Sequence, residues 1–182
     1  MDDTVSRQAT IGAPSLRVSL DLTVHVASLR YFDPEGSFAA TVRSVVGVAL
    51  PGVLQSARAS DDGGCILAWR SPTETLVLDT DAERFSSLKV ALAYARDGCI
   101  VDQSGGLWVL RASGGRVSDL LTRLGGSASV PKIGAARRGR LADVSVLALC
   151  VEPDETLLVV DRVYSQHLLA WIRETEADFE IP

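Results

Sequence analysis

The sequence predicts an α+β fold made of two β-α-β-β-α-type halves with antiparallel sheets and helices packed on one face of each. Three observations carry this. One long run, Leu16–Val26, alternates apolar and polar residues with the period of a half-buried strand, and several short apolar runs read as further strands. Four longer runs carry apolar residues at helical spacing. The order strand, helix, hairpin, helix then occurs twice along the 182 residues. The repeat is architectural, because the two halves are not visibly similar in sequence. No stretch of linker composition divides them, so residues 16–182 are expected to form one domain behind a flexible N-terminal tail, residues 1–15.

The elements follow in chain order. Leu16, Val18, Leu20, Leu22, Val24 and Val26 alternate with polar residues and predict one long strand. Asp33-Pro34-Glu35-Gly36 is a turn, and Ser37 is placed to cap a helix bearing Phe38, Val42, Val45 and Val46. Pro51 and Gly52 follow its end. After the turn Asp61-Asp62-Gly63-Gly64, the runs Cys65–Trp69 and Thr75–Leu78 pair as a hairpin about Ser71-Pro72. Asp81 opens a helix with Phe85, Leu88, Leu92 and Ala95 on one stripe, and Gly98 is its expected stop.

In the second half, Cys99–Val101 reads as a short buried strand and Leu107–Arg111 as another. Ser113 is the expected cap of a helix carrying Val117, Leu120, Leu121 and Leu124, which Gly125-Gly126 ends. A basic loop is expected as far as Arg140. Val144–Val151 and Thr156–Val160 form a hairpin, and Asp161 opens a last helix with the stripe Tyr164, Leu168, Trp171 and Ile172.

Composition narrows the function classes. The net charge of −5 argues against a general nucleic-acid binder. The charge is unevenly spread: no acidic residue lies between Asp119 and Asp143, while Arg123, Lys132, Arg137, Arg138 and Arg140 do. The plain reading is a solvated basic face. The sharper one makes Lys132, Arg137, Arg138 and Arg140 a contact for an anion or a partner. The C-terminus is acidic instead, with Glu174, Glu176, Asp178 and Glu180. Cys65, Cys99 and Cys150 are odd in number, far apart and set in apolar runs, which suits small core side chains in a reducing compartment. The polar N-terminus shows no secretory signal and no apolar run reaches membrane-spanning length, so a cytoplasmic location with no membrane partner is expected.

The usual constellations of catalytic residues are missing. There is no Gly-x-Gly-x-x-Gly fingerprint and no phosphate-binding Gly-x-x-x-x-Gly-Lys-Ser/Thr loop; Gly134–Gly139 lacks the lysine and the hydroxyl. His25 and His167 are the only histidines and lie on different elements, and there is no Cys-x-x-Cys, so no metal site is expected. Ser104 follows Asp102 in a Gly-rich turn without a nucleophile elbow, the pattern of a turn tied by its own side chains. Trp69, Trp108 and Trp171 read as core or interface anchors. These residues describe a binding or assembly domain and no self-sufficient catalytic centre.

Asp102-Gln103-Ser104, an apolar strand, Ser113-Gly114-Gly115 and the Leu120-Leu121 helix together resemble the Asp-x-Ser … Gly-Pro-x-Ala-x-x-x-Leu run of sarcosine oxidase gamma subunits, shared with the folate-binding aminomethyltransferases. Gly139-Arg140-Leu141-Ala142 is similar to that family's Gly … Thr-x-Leu-Ala segment. The stretch from Arg162 to Ile172 is similar to the ending Arg-Ser-Phe-Ala-x-x-Leu-x-x-Trp-Leu, with Arg162, Leu168 and Trp171 in step. The resemblance is good over residues 65–175 and weaker before them. Gly115 stands where the family has Pro, and Val163 where it has Ser.

The resemblance implies a fold like the folate-binding domain of aminomethyltransferases. It implies a non-catalytic gamma subunit of a heterotetrameric sarcosine oxidase, in contact with the alpha subunit and assembled with beta and delta subunits. Those subunits would oxidise sarcosine to glycine with tetrahydrofolate-linked one-carbon transfer, and would hold FAD, FMN, NAD and zinc. No catalytic residue of the family maps onto this chain. Two alternatives remain open: a stand-alone folate- or anion-binding protein using the Asp102–Ser104 turn and the basic stretch, and a homo-oligomeric scaffold. Self-association of the isolated chain could also cover a patch meant for a partner.

Overall fold

Residues Leu16 to Val26 alternate like a single strand, yet the chain bends within that run and the two pieces enter different sheets. The computed structural model describes residues 11–13, 16–59 and 64–179. Strand β1 (Ile11–Ala13) pairs with β2 (Leu16–Asp21), so the segment expected to be wholly a tail includes a short sheet edge; the rest of residues 1–15 lies outside the described residues. β2 ends where the Asp21 carboxylate accepts hydrogen bonds from the Thr23 backbone N–H (3.1 Å) and hydroxyl (2.7 Å). This side-chain turn competes with strand continuation and corrects the one-strand expectation. β3 (His25–Tyr31) begins beyond it.

Helix α1 (Ser37–Val46) buries Phe38, Val42 and Val46, as their spacing requires. Its cap is not the Ser37 side chain. Asp97 reaches from a distant segment to accept from the Phe38 N–H (3.0 Å) and the Ser37 hydroxyl (2.9 Å). A short strand that the sequence did not announce, β4 (Ser56–Arg58), precedes the hairpin of β5 (Cys65–Ser71) and β6 (Glu74–Asp79). The expected turn before β5 lies outside the described residues except for Gly64. α2 (Ala82–Leu92) is capped by Asp81, whose carboxylate accepts from the N–H groups of Glu83 and Arg84. The following strand, β7 (Gly98–Asp102), starts at the glycine expected to stop the helix. It is an edge strand, and Cys99 is exposed.

β8 (Leu107–Ser113) extends through Ser113, so that residue pairs with Glu155 and Arg17 and caps nothing. α3 (Val117–Gly125) starts instead after Arg116. A 3-10 turn at Ser127–Ser129 leads to β9 (Ala136–Leu141), so the basic stretch expected as loop is a strand in its last part. β10 (Val144–Glu152) and β11 (Glu155–Asp161) form the hairpin, and α4 (Arg162–Ala177) closes the chain. α4 is turned relative to its expected stripe. It buries Ser165, Leu168, Leu169, Ile172, Thr175 and Glu176, and leaves Tyr164 and Trp171 about half exposed.

The strands make a six-stranded sheet, order β1-β2-β8-β11-β10-β9, and a five-stranded sheet, order β4-β5-β6-β3-β7; the strand pairings within both are antiparallel. The sheets face each other across Val26, Ile66, Leu76, Leu78, Val109, Leu147, Leu149, Leu157 and Val159. α1 and α2 cover the outer face of the five-stranded sheet, around Leu29, Phe38, Val42, Leu67, Val77 and Leu88. α3 and α4 cover the other, around Leu110, Leu120, Leu121, Leu158, Leu168 and Ile172. The result is a four-layer α/β/β/α sandwich. In the first half β7 returns to lie beside β3. The second half has no such fifth strand of its own, and β2, from the start of the chain, takes the equivalent place beside β8. Each half resembles a split β-α-β unit, closed in one case by a strand from the far end of the sequence.

Candidate functional site

Where the chain passes from one half to the other, the Asp102–Ser104 turn acts as a clasp. Asp102 accepts from the Ser104 N–H (3.0 Å) and from Lys89 Nζ (2.9 Å). The Ser104 hydroxyl in turn bonds to the Val26 N–H (3.0 Å) and carbonyl (3.3 Å). Partial burial raises the Asp102 pKa, but the bonds from Lys89 and Ser104 outweigh it and leave the carboxyl below its ordinary range. A hydroxyl held on both sides by backbone is pinned in a structural role. The turn fixes β7 and β8 against the start of β3.

The other residues singled out by sequence lie apart. Gly114 takes a positive φ of 114° and donates its N–H to Asp154 O at 2.8 Å, joining the β8 end to the β10–β11 turn. Leu120 and Leu168 are fully buried in one core. Gly139 lies opposite Val146 in the β9–β10 ladder. Arg162, the first residue of α4, stacks its guanidinium 5.3 Å from the Trp108 ring, more than two turns from Trp171. Of the basic set, Arg137 and Arg138 are exposed on β9, Arg140 bonds the Asp143 carbonyl at 2.6 Å, and Lys132 precedes the strand. Arg138 also lines, with Arg70 and Asp161, a crevice of about 50 Å³ at the rim between the sheets. That volume suits a water molecule or a small ion.

Two ion-pair systems are structural. Asp79, fully buried, receives Arg84 through two bonds (2.8 and 2.7 Å) and the Asp81 N–H (2.9 Å), locking the start of α2 to β6. Arg111 joins Asp21 (3.0 Å) to Glu155 across the six-stranded sheet, beside a cavity of about 170 Å³ between the sheets. The neutral form of Cys150 is favoured. Burial, with the negative charge of Glu152, pushes its thiol pKa up, and its S–H donates to the Glu152 carbonyl. His25 stacks on Phe85 at 5.2 Å, while His167 lies exposed on α4. Among the described residues no three His, Cys, Asp or Glu side chains come together as a metal site.

A cleft roomier than these two was not foreseen. A cavity of about 500 Å³ opens at the start of β7, lined by Arg30, Phe32, Thr73, Glu74, Arg96 and Cys99. The Glu74 carboxylate is already engaged by the Ser28 hydroxyl (2.5 Å) and Arg70 (3.2 Å), with Arg30 at 3.8 Å. Arg96 is exposed, and Phe32 presents a ring that is 87 % exposed. The cleft is therefore cationic with an aromatic wall, an arrangement for contact with an anionic group. The sequence hid it because a short apolar run such as Cys99–Val101 looks the same whether the strand is central or at an edge.

The two facing sheets and their outer helices define a four-layer domain of aminomethyltransferase-like fold, over which the residues singled out by sequence lie scattered. The crystal structure of glycine cleavage system aminomethyltransferase T from Bartonella henselae shares this fold at a TM-score of 0.60 and 11 % identity, over 84 % of this chain and 44 % of that one. A heterotetrameric sarcosine oxidase from Corynebacterium sp. U-96, in complex with pyrrole 2-carboxylate, contains a chain that superposes with a TM-score of 0.81 at 20 % identity, over 94 % of this chain and 89 % of that one. No curated protein matches the sequence. The family described as "Sarcosine oxidase, gamma subunit family" matches residues 31–178, and the chain belongs to it.

Proposed function

We propose that the chain is the non-catalytic gamma subunit of a heterotetrameric sarcosine oxidase. The observation that carries this is the family match over residues 31–178, joined to a fold match along nearly the whole chain with a subunit of such an oxidase. In this reading the chain packs directly against the alpha subunit, within an assembly that includes beta and delta subunits. The partner subunits bind FAD, FMN, NAD and tetrahydrofolate and oxidise sarcosine to glycine. This chain contributes surface and rigidity. The pinned Ser104, the bonded Cys150 and the separated histidines support that division of labour.

The test is co-expression of the tagged chain with candidate alpha, beta and delta chains from the same genome. The expected result is a complex that carries flavin absorbance and consumes oxygen when sarcosine is added, while the chain alone is colourless. An isolated chain that holds flavin or turns over sarcosine, or one that leaves all three chains unbound, overturns the proposal. Calorimetry of the isolated chain with tetrahydrofolate addresses the stand-alone alternative. That alternative requires saturable heat that falls when Arg137 and Arg138 are replaced by Ala.

A further inference from the structure

Each sheet has two edges, and three of the four are guarded. β1 and β4 are three residues long. β9 carries Arg137, Arg138 and Arg140. It is also closed at both ends: the Ala136 N–H donates to Leu54 O (2.9 Å), and Gly125 packs so tightly on the Arg140 carbonyl that a Cβ there would lie 2.4 Å from it. Short strands, charges and covering segments are the ways proteins prevent unwanted strand pairing.

β7 is five residues long, and its one charge, Asp102, sits at its end and is paired with Lys89. It runs Gly98-Cys99-Ile100-Val101-Asp102, without Lys, Arg or Pro. Its register fixes which backbone groups are used. Phe32 N–H donates to Asp97 O and Gln103 N–H to Val26 O, and Cys99 and Val101 stand opposite Arg30 and Ser28. Cys99 and Val101 therefore turn their N–H and C=O toward β3, and Gly98, Ile100 and Asp102 turn theirs outward. No described residue hydrogen-bonds those outward groups. The edge is apolar and bare: Val101 on it and Phe32 beside it are 39 % and 87 % exposed. At the Gly98 end lies the cationic cleft of Arg30 and Arg96.

We infer that β7 is the seam at which this subunit receives a strand from its partner subunit. This rests on the gamma-subunit reading above. The occupant is an extended partner segment with alternating apolar side chains and a carboxylate at the end that meets Arg30 and Arg96. Backbone bonds to Ile100 supply the pairing, and the cleft sets the direction of the added strand.

The experiment uses the intact complex purified through this chain and the same chain alone, compared by hydrogen exchange. The outward amides of Gly98, Ile100 and Asp102 exchange fast in the free chain and are slowed about a hundredfold or more in the complex, as inter-strand bonding requires. Ile100→Pro removes an outward N–H that β3 does not use, so the chain keeps its fold while recovery of alpha, beta and delta chains drops about tenfold. Arg96→Glu, on the exposed rim, gives a loss of about the same size by charge reversal. If Ile100→Pro fails to fold, the exchange comparison on the unaltered protein decides alone. Unchanged exchange at Gly98, Ile100 and Asp102 in a complex that does form overturns the seam and leaves the gamma-subunit reading standing; failure to form any complex removes the reading beneath it. A monomer–dimer equilibrium of the isolated chain abolished by Ile100→Pro would assign the edge to a second copy and likewise overturn the inference.

Discussion

Asp97 caps a helix that begins about sixty residues before it, through bonds to the Phe38 N–H and the Ser37 hydroxyl. Those bonds, the Phe38 one foremost, hold its carboxyl below the ordinary carboxylate range. A carboxyl with a depressed folded-state pKa stabilises the fold where it is ionised in both states, and that contribution disappears as pH falls through the folded value. Asp97→Ala is therefore expected to lower the melting temperature at neutral pH, with the gap from the unaltered protein closing below about pH 4. Thermal scans across pH check this, and a gap that does not change with pH would contradict it. The next residue depends on having no side chain. A Cβ at Gly98 would sit 2.6 Å from both the Arg30 carbonyl and the Phe38 ring. Gly98→Ala is expected to cost about 2 kcal/mol in urea unfolding, because backbone and a buried ring must shift. A glycine after a helix reads naturally as a helix stop, whereas the constraint on this one comes from a strand and a helix distant in sequence.

At the scale of elements, α4 shows how far periodicity reaches. The helix itself was legible from Asp161 onward. Its phase was not, because Leu168 and Ile172 belong equally to a stripe with Tyr164 and Trp171 and to one with Ser165, Leu169 and Thr175. Packing against α3 and the six-stranded sheet selects the second, and the aromatic residues face outward. Leu168→Ala is expected to destabilise by about 3 kcal/mol. Val163→Ala, 81 % exposed, should change stability by no more than about 0.5 kcal/mol. Denaturant titrations that gave similar losses at both positions would mean that the helix is turned otherwise. α3 left no such choice: of its expected stripe Val117, Leu120 and Leu121 are buried, and Leu124 is partly buried against the same core.

For the whole molecule, the placement of β2 beside β8 makes the halves interdependent. Leu16 and Val18 fill the core under α3 and α4, while the rest of the first half belongs to the other sheet. The inter-sheet core is shared, and Arg111 ties β8 to both Asp21 and Glu155. Unfolding is accordingly expected as one transition, with far-UV circular dichroism and tryptophan fluorescence giving the same urea midpoint. Trp69 and Trp108 report on different sheets, so two separated midpoints would mean that the halves fold independently.

The sequence alone determined the fold class, the helices and hairpins, most of their buried faces and the family likeness, because these depend on local periodicity, turn chemistry and short motifs. It did not determine which sheet each strand joins, where Asp97 bonds, or that β7 is an open edge beside a cationic cleft. Those features are set by contacts between residues tens of positions apart. A strand's local pattern is the same whether its second edge meets another strand or is left free, so only the folded arrangement could decide.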